Sequence, residues 1–119
     1  MARVHIVMDE NVSMSQSGGQ PNNFAVPIGV YRNGVAYVRL FKNTNDTNTF
    51  FRMLKSMDRK RNDAYWELDP VEVVAVGPGV VGLFKFNIAS PGMFMRWHVS
   101  GLTGPIVAVF SIDLFMNLR

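Results

Sequence analysis

Between residues 80 and 116 apolar side chains return at every second position. Phe84, Phe86 and Ile88 alternate with Leu83, Lys85 and Asn87. Met93, Met95, Trp97 and Val99 alternate with Phe94, Arg96, His98 and Ser100. Ile106, Ala108, Phe110, Ile112, Leu114 and Met116 alternate with Val107, Val109, Ser111, Asp113 and Phe115. A period of two places one set on one face of a strand and the other set on the opposite face. Ser90-Pro91-Gly92 and Gly101 to Pro105 punctuate these runs with turn formers. Two shorter runs precede them. Ala64 to Leu68 ends at Asp69-Pro70, and Val71 to Val76 ends at Gly77-Pro78-Gly79. Strands about ten residues apart with Gly/Pro turns predict an all-β fold. The expectation is an antiparallel β-sandwich of jelly-roll type, in a single domain spanning 1–119.

The N-terminal half is less uniform. Residues 3–8 suit a short first strand. Residues 9–23, DENVSMSQSGGQPNN, offer only Val12 and Met14 for burial and read as a polar arm or loop. Ile28 to Phe41 contains Asn33-Gly34 between two apolar runs, the pattern of a hairpin with a type I′ turn. Phe50, Met53, Leu54 and Met57 fall at i, i+3, i+4 and i+7, with Arg52, Lys55, Asp58, Arg59 and Lys60 between them. That spacing predicts one short amphipathic helix near residues 49–61, capped at Asn48 or Thr49, although Thr49 to Leu54 also reads as a strand.

The 119 residues are 48% hydrophobic and 18% charged, enough for a core and too few charges for a disordered chain. The chain has no cysteine, which excludes disulfides, thiolate metal sites and cysteine nucleophiles, and fits assembly in a reducing cytoplasm. No stretch has the length and hydropathy of a spanning helix or a signal peptide, so neither a membrane nor a secretory route is expected.

Little of the sequence has the form of reactive chemistry. Gly77-Pro78-Gly79-Val80-Val81-Gly82 matches GxGxxG, but alternating residues follow it where a dinucleotide site needs a helix, so a turn is expected. His5 and His98 stand alone in sequence, and Asp9-Glu10 and Glu67-x-Asp69 lack calcium-loop spacing. No catalytic residue, metal site or cofactor is expected.

The formal charge is +3, concentrated in the middle of the chain: residues 41–65 hold six basic and three acidic side chains. Arg59-Lys60-Arg61 has a bland account, since cations at a helix C-terminus complement the macrodipole. A nucleic-acid interface is the sharper alternative, but three adjacent cations do not make a footprint, so nucleic acid is not an expected partner by this count. Apolar residues on both phases of the last strand call for a cover from a helix, the arm or another chain.

The C-terminal third resembles small β-sandwich structural proteins of tailed-bacteriophage virions. The resemblance covers residues 83–117. It rests on Leu83-Phe84-Lys85-Phe86-Asn87, on Met95-Arg96-Trp97-His98-Val99, on the Ser100-Gly101 turn, and on the closing strand to Met116. It implies a non-enzymatic virion component assembled in the host cytoplasm, most of all a capsid decoration (cement) protein. Tail or neck accessories share the pattern, and so do carbohydrate-binding sandwiches, for which Trp66, Trp97 or Tyr31 would offer a platform. The expected partners are capsid or tail subunits and further copies of the chain. The contact residues expected are Asp9, Glu10, Met14, Gln16, Gln20 and Asn22 in the arm. On the basic face they are Arg52, Lys55, Arg59 and Lys60.

Overall fold

The computed structural model describes residues 3–20, 25–56, 67–89, 94–102 and 107–118. Nine strands cover most of them: β1 (Arg3–Met14), β2 (Gly18–Gly19), β3 (Val26–Pro27), β4 (Tyr31–Asn43), β5 (Thr49–Ser56), β6 (Glu67–Val76), β7 (Gly82–Ala89), β8 (Phe94–Ser100) and β9 (Ala108–Leu118). They form two antiparallel sheets packed face to face. The first has the order β1-β9-β4-β7. The second has the order β2-β8-β5-β6, with β3 also on β8. The alternation read in β9 is the observed one: Ala108, Phe110, Ile112, Leu114 and Met116 are buried between the sheets. Ala36, Val38 and Leu40 of β4 join them there, facing Phe51 and Met53 of β5 and Met95, Trp97 and Val99 of β8. Phe110 meets Phe51 and Trp97 edge-on, at 5.1 and 5.2 Å between ring centres, so one ring triad bridges the two sheets.

The helix expected at 49–61 is not present in its described part: residues 49–56 are β5, and 57–61 lie outside the described residues. The helical spacing has a strand explanation. β5 lies between β8 and β6 and buries side chains on both faces. Thr49, Phe51 and Met53 face the core, while Leu54 is buried with Ala25 and Phe94 in a small second cluster. Adjacent buried residues at 53 and 54 imitate i+3 and i+4. On the other side β6 absorbs extra chain: Arg52 pairs with Val73, and Leu54 with Leu68. Pro70 therefore lies within β6 instead of ending a run before it. A proline is tolerated there because β6 is an edge strand and the register is broken at that point.

The hairpin expected at Asn33-Gly34 is also absent. β4 runs straight through both residues. The turn comes earlier, where Tyr31 N donates to Ile28 O at 3.0 Å. Gly34 serves close approach of strands: a Cβ there would collide with Met116 Sδ and lie 2.5 Å from Phe115 O. Asn33 accepts a hydrogen bond from Asn117 Nδ2 at 2.7 Å across the sheet. The same dipeptide that suits a positive-φ turn here supplies a missing side chain and a cross-strand acceptor.

Residues 9–20 are not a free arm. β1 continues to Met14, pairing Val12 with Phe110 and Met14 with Ala108. It does so by register shifts between Val7 and Asp9 and between Asp9 and Val12, with Asn11 at φ 51°. Those bulges let a polar segment continue a ladder that its composition does not announce. Gly18 and Gly19 then pair with Val99 and His98 in the second sheet. Gly77-Pro78-Gly79-Val80 is the expected turn, closed by Val80 N on Gly77 O at 3.2 Å with Gly79 at φ 69°.

Candidate functional site

The outer face of the first sheet carries the most distinctive surface among the described residues. Register fixes its layout. His5 of β1 lies beside Phe115 of β9, which lies beside Val35 of β4. One pleat along, Val7, Asp113, Tyr37 and Lys85 form the next row, and Ser111, Arg39 and Leu83 the one after. His5 stacks flat on Phe115, with ring centres 4.6 Å apart and planes within 4°. Its Nε2 is 3.5 Å from Asp113 Oδ1. Tyr37 meets Phe115 edge-on at 5.4 Å. These contacts half-bury Phe115 and explain how β9 can be apolar on both phases: its outer face is covered by side chains of the adjoining strands.

Between these groups lies a shallow depression of ≈ 310 Å³ lined by Arg3, Tyr37, Arg39, Leu83, Asp113 and Phe115. Arg3 Nε is engaged with Asn117 Oδ1 at 3.3 Å. Asp113 faces His5. Neither the Arg39 guanidinium nor the Tyr37 hydroxyl has a hydrogen-bond partner among the described residues. Leu83 is 58% exposed, and Phe41, Val80 and Val81 are also exposed near this β4–β7 edge. Leu40 pairs with Gly82, which sets Phe41 and Val81 at neighbouring positions.

The residues expected to contact partners are distributed differently. Asp9 is half-buried, and its Oδ2 accepts from Trp97 Nε1 at 3.0 Å, tying β1 to β8 across the two sheets. Gln20 is 2% exposed; its Nε2 donates to Met8 O, its backbone N–H to Trp97 O, and its carbonyl accepts from Arg96 Nη1 at 2.8 Å. Met14 is packed against the core. Glu10 and Gln16 are exposed, and Asn22 lies outside the described residues. The structure thus gives Asp9, Gln20 and Met14 internal contacts. Arg52 and Lys55 are half-buried on β5, and Arg59 and Lys60 lie outside the described residues. Arg52 shares the outer face of the second sheet with its register partner His98 and with Arg96, so the positive face there belongs to strands.

Two sugar platforms read from the sequence are changed by the fold. Trp97 is buried in the core, and Tyr31 is half-buried against it; Trp66 lies outside the described residues. Among the described residues no group of three acidic or histidine side chains could hold a metal ion. No helix among them is long and apolar enough to cross a membrane. The residues of the depression were not nominated by the sequence. Their signal was the odd phase of β4 and β9, where Tyr37, Arg39, Asp113 and Phe115 alternate with the core, but only the register brings them together. No protein-family model matches the chain, and no curated protein matches it.

Proposed function

We propose that the chain is a non-enzymatic structural protein of a bacteriophage virion, a capsid decoration subunit that binds neighbouring capsid proteins. The observation that carries this reading is the strand order. The order β1-β9-β4-β7 facing β2-β8-β5-β6 matches two Greek keys wound into a jelly roll, an architecture that recurs in capsid subunits and lectins. The exposed aliphatic and aromatic side chains at the β4–β7 edge favour a protein partner over water. The internal roles of Trp97 and Tyr31 weigh against the lectin branch, since two of its three candidate platforms are turned into the domain. A fold alone does not fix a function, so the reading stands on assembly behaviour. The test is sedimentation of virions from cells expressing a tagged chain. Co-sedimentation at a fixed copy ratio, lost when the tagged chain is unfolded, is the expected result. A chain that stays at the top of the gradient as a monomer would overturn it.

A further inference from the structure

We propose that the depression on the outer face of the first sheet is a docking site for an acidic peptide segment carrying aliphatic side chains; this rests on the assembly reading for its biological setting but not for its chemistry. Three observations converge. Arg39 presents a guanidinium with no partner among the described residues, on a face where Arg3 and Lys85 are also cationic; Asp113, the one carboxylate among the residues lining the depression, faces His5. A guanidinium takes a carboxylate through two parallel N–H···O bonds, which makes it a strong and oriented anchor. Leu83 pairs with Arg39 in the ladder, so an exposed aliphatic surface adjoins that anchor directly. The Tyr37 hydroxyl supplies a further donor on the floor.

The same geometry argues against a sugar as occupant. A pyranose needs an open aromatic face, and here one face of Phe115 is covered by the parallel His5 ring while Tyr37 stands edge-on to it. The lining sets a cationic anchor, Arg39, beside an exposed aliphatic side chain, Leu83, which suits an acidic side chain next to an aliphatic one.

The test is titration of the isotope-labelled chain, followed by amide chemical shifts, with an acetylated and amidated peptide of alternating Asp and Leu. A peptide of alternating Lys and Leu and a heparin-derived octasaccharide serve as comparisons. Shifts confined to Tyr37, Arg39, Leu83, Asp113 and Phe115 with the acidic peptide alone are expected. Arg39→Gln should weaken that binding about tenfold or more, the range for losing a charge-assisted hydrogen bond. Lys42→Gln, which removes the same charge from an exposed position outside the depression, should leave it within about twofold. Absent shifts, equal weakening by both variants, or response to the octasaccharide without the peptide would each overturn the site. If the peptide binds here but the chain never enters a particle, the site stands and the assembly reading falls. If the chain enters particles, the peptide gives no shifts and Arg39→Gln incorporates normally, the assembly reading stands and the site falls.

Discussion

At the scale of single residues, two glycines and one asparagine show how differently small changes should act. Gly34 is a matter of space: its missing Cβ leaves room for Met116 and for the Phe115 carbonyl, a backbone group that cannot rotate away. Gly34→Ala should therefore destabilise the domain by about 3 kcal/mol, at the upper end of overpacking costs, as a lower urea midpoint. Gly79 is a matter of backbone angle: nothing lies within 4 Å of its absent Cβ, but φ is 69°. Gly79→Ala should cost only about 1–2 kcal/mol in the same assay. Equal losses would contradict the separation of crowding from backbone strain. Asn45 is a hub. Its Nδ2 donates to Thr49 Oγ1 at 2.8 Å and to Gly101 O at 3.0 Å, its own N–H donates to Asn43 Oδ1, and its carbonyl accepts from Gly79 N. Asn45→Ala keeps the two backbone bonds but takes the Nδ2 donor from Thr49 Oγ1 and Gly101 O, and should cost about 1–3 kcal/mol. The Asn/Thr-rich stretch 43–49 has the composition of a turn; that it buries Asn43, Asn45 and Thr49 as a hydrogen-bonded cluster depends on partners near residues 77 and 101, which no local pattern reveals.

At the scale of elements, the strands with strict alternation were legible, and those whose neighbours distort the pattern were not. β7, β8 and β9 could be read from period two alone because each has one face on the core. β5 could not, because it buries residues on both faces and so mixes two phases into a false helical period. β4 was cut at Asn33-Gly34 because sequence cannot separate a glycine needed for φ from one needed for closeness. The polar end of β1 was missed because its support is a bulged ladder to β9 and one inter-sheet hydrogen bond. A consequence is that deleting residues 9–20 removes the second half of β1 from the edge of the first sheet and all of β2 from the edge of the second. The melting temperature should drop by many degrees; an unchanged one would restore the picture of a detachable arm. A finer probe is Asp9→Ala, which leaves the buried Trp97 N–H without its charged acceptor. It should cost about 1.5–3 kcal/mol, and Asp9→Asn less, because an amide oxygen still accepts. Tryptophan emission before unfolding should change with Asp9→Ala, since one of the two indoles loses its hydrogen bond.

At the scale of the whole molecule, the two sheets hold together through the apolar layer between them, and that layer has a centre. Phe110 is fully buried on β9 and meets Phe51 of β5 and Trp97 of β8 at near-perpendicular angles. Edge-on rings at these separations add to area burial, so the triad is worth more than three separate side chains. Removing the middle ring leaves a cavity walled by both sheets, and neither sheet can collapse into it without breaking its own ladder. Phe110→Ala should cost about 3–5 kcal/mol. A domain of this kind has about 5–15 kcal/mol in all, so the variant should sit near the edge of folding at room temperature. Phe110→Leu keeps most of the volume and should cost much less. The loss should appear as one cooperative transition moved to lower urea, with the tryptophan fluorescence and the far-ultraviolet β signal changing together, because the ring is shared by both sheets. If the two signals separate in Phe110→Ala, with one sheet persisting while the other melts, the sheets are independent units and Phe110 is not their common support.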